Sequence, residues 1–183
     1  MYKKMLVPLD GSKMAEVVFP YAREVAGRLD VDLDFLHICT PEEADTLPMR
    51  QAYIEHMAEI VRGQSEEIRQ KVGTPKIKNV QATGKAVIGY PPEEILRFAE
   101  ENHDDIIMMA THGRSGLKRW AMGSVSYKIT HSSKNPVWLV RAGVPDEILY
   151  DKLPERTTLV LLDGSALAES SLPHVEALSK QRG

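Results

Sequence analysis

The sequence predicts a three-layer α/β/α domain around a five-stranded parallel sheet, with a β-α fragment appended at the C-terminus. Three observations carry this. Strand-like and helix-like hydrophobic periods alternate from Lys4 to Val140, the pattern of successive βα units. One strand candidate, Asp105 to Ala110, has no polar alternation, as expected of a strand covered on both faces. The opening segment of the chain also recurs after a linker near the C-terminus.

Each element has its own signal. Lys4 to Leu9 is a short apolar run that stops at Asp10-Gly11-Ser12, a turn and helix-start signal. Val18, Ala22, Val25 and Leu29 give Ala15 to Leu29 a helical face. Pro20 lies within that stretch, and proline, lacking an N–H, is compatible only with a helix that starts close by. Val31 to Ile38 alternates aspartate with Val31, Leu33 and Phe35 and reads as the second strand. Residues 40–48, with Pro41, Pro48 and the acids Glu42, Glu43 and Asp45, read as a solvated loop. Met49 to Val72 places Ile54, Met57, Val61, Ile68 and Val72 on one helical face, with Gly63 a weak point. Gly73-Thr74-Pro75 stops it.

Ile77 to Ile88 holds the third strand, with a break or bulge expected near Gly84. Pro91-Pro92-Glu93-Glu94 opens the next helix, since proline suits the first turn and acids suit the dipole there. The fourth strand runs into Thr111-His112-Gly113-Arg114-Ser115-Gly116, Gly123-Ser124 opens a helix to about His131, and Pro136 to Val140 forms the fifth strand. Ligands of such sheets bind beyond the carboxyl ends of the strands, near the switch in strand order. The loops after Leu9, Ile38 and Ala110 are therefore the ones to inspect.

Composition narrows the function classes. The 183 residues are 43% apolar and 27% charged, a globular mix that argues against disorder or coiled coil. No apolar run approaches the ~20 residues of a membrane-spanning helix, and Met1-Tyr2-Lys3-Lys4 does not begin a secretory signal. The single cysteine, Cys39, cannot form an internal disulfide, and no Cys/His cluster has zinc spacing. A cytoplasmic protein without a membrane partner is expected. The net charge of −3 gives no general reason to bind nucleic acid, although Arg114, Lys118, Arg119 and Lys128 gather locally.

Residues 144–156 carry Pro145, Pro154 and mostly polar positions and read as a linker between a domain at 1–143 and a fragment at 157–183. Leu159-Val160-Leu161-Leu162-Asp163-Gly164-Ser165 echoes Leu6-Val7-Pro8-Leu9-Asp10-Gly11-Ser12, and at the constant offset of 153 nine of the 17 positions from Leu6 to Ala22 are identical. The reading is a tandem arrangement whose second copy is represented by its first strand and helix. Such a unit buries too little surface to fold alone, so it is expected to dock on the first domain or a partner chain or to be partly disordered, and Leu159, Val160 and Leu162 are expected to be shielded by contact.

The stretch with most chemistry runs from Ala110 to Ser126. A buried strand ends, Gly113 follows, a basic segment passes, and Gly123-Ser124 starts a helix. Unpaired N–H groups at a helix N-terminus favour an anion, and glycine lets backbone approach a phosphate. Ser124 and Ser126 add hydroxyl donors. This pattern predicts phosphate binding rather than phosphate cleavage.

The segment resembles the universal stress protein family, over roughly residues 1 to 142. ATP-binding members carry Gly, two residues, Gly, nine residues, then Gly-Ser or Gly-Thr. Ala110, Gly113, Gly123 and Ser124 stand at those positions with both spacings intact and alanine in the first place. Val7-Pro8-Leu9-Asp10-Gly11-Ser12 is similar to the family's first strand and turn. The resemblance implies an adenine nucleotide alpha hydrolase-like fold that binds ATP or another adenine nucleotide, possible Mg²⁺ alongside the phosphates, and homodimerisation through the fifth strand at Val137 to Val140. It implies that Pro8, Asp10 and Ile38 border adenine and ribose, that Met109 and Ala110 line the same pocket, and that Gly113, Gly123, Ser124, Val125 and Ser126 hold the phosphates. The function it implies is a stress-response regulator acting by occupancy, not an enzyme.

Other readings stand beside these. Asp10 also fits a helix cap, Gly113 and Gly116 ordinary turns, and Ser124 a cap with or without phosphate. His112 sits in the loop without the spacing of a catalytic triad or metal site. A non-nucleotide interaction module and a slow ATPase, for which only Asp10 and His112 are available to position water, are the alternatives.

Overall fold

A computed structural model describes residues 2–72, 79–112, 122–141 and 158–182. Five parallel strands form one sheet in the order β3-β2-β1-β4-β5: β1 (Lys4–Pro8), β2 (Asp32–Cys39), β3 (Ala82–Ile88), β4 (Ile106–Ala110) and β5 (Val137–Val140). The connecting helices are α1 (Phe19–Leu29), α2 (Leu47–Val72), α3 (Pro91–Glu101) and α4 (Ser124–Ser132). The chain winds outward through β2 and β3, then returns to pair β4 on the other side of β1. The order therefore switches between β1 and β4.

Side-chain alternation along the strands makes the three layers. Met5, Val7, Leu33, Phe35, Ile106 and Met108 belong to one core with Ala22, Val25, Ile54 and Val61 of α1 and α2. Leu6, Leu36, Ile107 and Met109 point the other way, into a core with Ile95, Phe98 and Ile129 of α3 and α4. All five residues of β4 are buried, which accounts for its lack of polar alternation. Pro20 falls in the first turn of α1, after a short 3-10 turn at Glu16–Val18. The helical pattern from Ala15 thus divides at the proline.

Three expectations change. Residues 40–48 are not a plain loop: Pro41–Thr46 is a 3-10 helix and α2 already begins at Leu47. Thr40 and Glu43 help to stop and start the chain there, the Thr40 N–H donating to Glu43 Oε2 at 3.3 Å. Second, β3 passes Gly84 without a break or bulge, its register with β2 continuous from Leu33↔Ala82 to Cys39↔Ile88. Glycine is needed there because α2 lies so close: a Cβ would sit 2.4 Å from the Ile54 carbonyl oxygen. Gln51 of α2 bonds Gly84 O at 2.9 Å and the Ala86 N–H at 2.7 Å, and Arg62 donates to Ala82 O. The outer edge of β3 is thereby covered by side chains, one way in which sheets avoid edge-to-edge association.

The third change concerns the C-terminal fragment. Residues 158–164 form no strand, and Leu159, Leu161 and Leu162 are 81%, 82% and 48% exposed. In the domain β1 is the central strand, paired on both sides. The fragment has no counterparts of β2 and β4 among the described residues, so its strand has nothing to pair with and its leucines are not shielded. The turn, in contrast, is reproduced. Gly11 and Gly164 have φ of 76° and 81°. Asp10 and Asp163 each accept from the serine N–H two residues on at 2.9 Å, and Ser12 and Ser165 each accept from the alanine N–H three residues on at 3.1 Å. Short helices α5 (Ala166–Glu169) and α6 (Leu172–Arg182) follow. α6 docks on the domain, with His174 Nδ1 2.7 Å from Tyr2 Oη and Ala177 and Leu178 against the α1 side of the core.

Candidate functional site

At the carboxyl end of the sheet, where the order switches between β1 and β4, there is a cavity of about 270 Å³. Its floor comes from the ends of three strands: Pro8 at the end of β1 with Leu9 just beyond it, Ile38 in β2, and Met109 and Ala110 in β4. Asp10 lines one side, and Gly123, Ser124, Val125 and Ser126 line another. The sequence-predicted site residues are thus brought together from four segments of the chain. Gly113, with Arg114, Lys118 and Arg119, lies outside the described residues.

Local bonding sets each wall. Asp10 does not cap α1; its Oδ1 closes the turn onto the Ser12 N–H, and Ser12 Oγ receives the Ala15 N–H that begins the 3-10 turn. Behind this turn, Tyr53 of α2 donates to Glu16 Oε1 at 2.8 Å. Burial and the neighbouring Glu16 carboxylate hold the Tyr53 hydroxyl far above the usual phenol range, so it remains a donor. Arg50 Nη1 lies 2.9 Å from where a Gly11 Cβ would be, so α2 presses on the Asp10-Gly11-Ser12 turn.

On the opposite wall, Thr111 O receives the Gly123 N–H at 2.8 Å and the Ser126 hydroxyl at 2.8 Å. These bonds fasten the start of α4 to the end of β4. Gly123 is the N-cap in an extended conformation, and among the described residues no side chain caps the helix. The N–H groups of Ser124, Val125 and Ser126 consequently have no intrahelical acceptor, and these three residues line the cavity. The role expected of the Ser126 hydroxyl is corrected: the side chain is 2% exposed and bonds Thr111 O, so it offers the cavity its main chain only. Ser126→Ala should lower stability by about 1 kcal/mol and leave affinity for an anionic ligand within about twofold, measured by denaturation and calorimetry side by side.

Sequence reasoning missed part of the lining: Thr40 and Glu43, Ala15, and Pro91 and Ile95 at the start of α3. The Thr-x-x-Glu spacing at Thr40 to Glu43 is a capping-box signal that would have exposed the first pair. His112 also lines the cavity. Its Nδ1 is 3.0 Å from Thr111 Oγ1, and no carboxylate among the described residues bonds it, so nothing there orients it as a general base. Lys128 lies 4.0 Å from Glu93 on the exposed surface. Among the described residues no group of three or more His, Cys, Asp or Glu could hold a metal ion, and no helix is long and apolar enough to cross a membrane.

Known proteins share this arrangement. The sequence profile of the universal stress protein family matches residues 1–141. The universal stress protein YxiE of Bacillus subtilis is 32% identical over 151 residues, covering 77% of this chain and 100% of that protein. The solved structure of MJ0577, a universal stress protein of Methanocaldococcus jannaschii, superposes with a TM-score of 0.55 at 28% identity, over 79% of this chain and 99% of that one. A universal stress protein solved in complex with cAMP has a TM-score of 0.55 at 18% identity, over 78% of this chain and 98% of its own. With the sheet order and the profile match over the whole sheet-forming region in agreement, the chain belongs to the universal stress protein family.

Proposed function

We propose that this protein binds an adenine nucleotide, ATP or a related species, in the cavity at the β1/β4 switch point, and that occupancy regulates the stress response by biasing conformation or partner binding. The observation that carries the reading is the uncapped N-terminus of α4 opening onto that cavity. Three main-chain donors and the positive end of a helix suit a phosphate, while Pro8, Ile38, Met109 and Val125 offer an apolar bed for a base. Ala110 replaces the first motif glycine, yet it is 6% exposed within β4, where an ordinary strand conformation accommodates a methyl group. The relative solved with cAMP supports the ligand class. Mg²⁺, where present, would be carried chiefly by the phosphates, with Asp10 and Glu43 the acids on the cavity wall.

The role is binding without catalysis. Homodimerisation through β5 accompanies it: Val137, Trp138 and Leu139 remain half-buried on β5, whereas the edge of β3 is covered by Gln51 and Arg62. The 157–183 segment is the start of a second repeat, as its duplicated turn supports. Protein freed of bound small molecules, titrated with ATP and with AMP in a calorimeter, should give saturable heat with one site per chain. No heat with either nucleotide would leave the cavity to a non-nucleotide interaction module.

A further inference from the structure

We infer that the Asp104 carboxyl is a proton-uptake site that couples pH to the closure of the sheet at its amino end, on the far side of the molecule from the cavity. Asp104 is 3% exposed, and neither carboxylate oxygen has a hydrogen-bond partner among the described residues. A buried carboxylate without a partner is strongly unfavourable, whereas the neutral acid is far less so. Among the described residues one cation, Lys4, acts on Asp104. Lys4 Nζ of β1 sits 2.5 Å from Asp34 Oδ2 of β2 and 3.4 Å from the Asn102 carbonyl. Asp34, also 3% exposed, receives the Thr83 hydroxyl of β3 at 2.6 Å.

The charged groups acting on Asp104 are therefore Asp34 from β2, Asp105 from its own turn and Lys4 from β1. From the β5 side the neighbour is the uncharged Asn135, whose amide donates to Asp104 O, while Lys134 is held by Glu100 at 3.0 Å. Burial first and Asp34 second push the Asp104 carboxyl up to about 7, against the pull of Lys4.

Loss of that proton sets two buried carboxylates against one ammonium. The strain falls on a junction of three strands. Asp105 Oδ2 accepts the Lys3 and Lys4 N–H groups at 2.6 and 3.1 Å, the Asp105 N–H donates to Lys4 O at 2.9 Å, and Asn135 leads into β5. The folded carboxyl lies above its unfolded value near 4. Stability from this group is complete below about pH 4 and is lost as pH rises toward and through 7.

The test compares the full chain with Asp104→Asn. The difference in thermal midpoint, variant minus parent, should grow by about 5–10 °C between pH 5 and pH 8. Carboxyl carbon NMR of the parent should place the Asp104 titration near neutrality, and Lys4→Met should move it higher still. A parent Asp104 that titrates below pH 5, or a variant that tracks the parent at every pH, overturns the inference. The NMR titration needs no variant, so a failure of Asp104→Asn to fold leaves the inference testable.

Discussion

Gly123→Val is expected to weaken adenine-nucleotide binding about a hundredfold, the equivalent of losing one or two charge-assisted hydrogen bonds. A Cβ at this position would meet Thr111 O at 3.2 Å and Ser126 Oγ at 3.4 Å. Both atoms belong to the clamp that joins β4 to α4, so they cannot yield without moving the helix start. A branched side chain would also occupy space beside the Ser124 and Val125 N–H groups, which have no intrahelical acceptor. The overpacking should cost about 1–2 kcal/mol of stability, leaving the domain folded. Calorimetry with AMP, with a thermal denaturation curve as control, separates the two effects. Unaltered affinity in a folded variant would remove the α4 N-terminus from the site.

Gly84→Ala is expected to destabilise the domain by about 3 kcal/mol, at the upper end for overpacking. The added methyl would collide with backbone, 2.4 Å from Ile54 O and 2.7 Å from Glu55 N. Backbone in the middle of α2 cannot swing aside as a flexible side chain can. The helix must lift from β3, breaking the Gln51 bridges to Gly84 and Ala86. Denaturant unfolding checks this; a loss under 1 kcal/mol would mean that α2 and β3 are not packed so closely.

Continuous apolar runs made the strands legible in sequence, because a strand buried on both faces needs no polar residues. β4 is the clearest case: its apolar content predicted burial on both faces, and all five of its residues are buried. Positions governed by distance across the fold were harder to read. Gly84 resembled a bulge, since sequence does not reveal that a helix backbone passes beside it. Ser126 resembled a free hydroxyl, since its acceptor, Thr111 O, lies 15 residues away in sequence. The residues nominated by the family resemblance, which rests on the glycine spacing and the Asp-Gly-Ser turn, line one cavity wherever they are described. Thr40 and Glu43 were overlooked because acids between prolines look like a solvated surface. Residues 159–165 echo the sequence of β1 and its turn, but a strand exists only with neighbours, and among the described residues none pairs with this segment.

The central claim is that main-chain donors at the start of α4 hold a phosphate. Crystals grown with saturating AMP test it most directly. The expected map places the phosphate within hydrogen-bond distance of the Ser124, Val125 and Ser126 N–H groups, with the base against Ile38 and Met109. A map with the nucleotide elsewhere on the molecule, and that cavity filled by the protein's own side chains, would contradict the account.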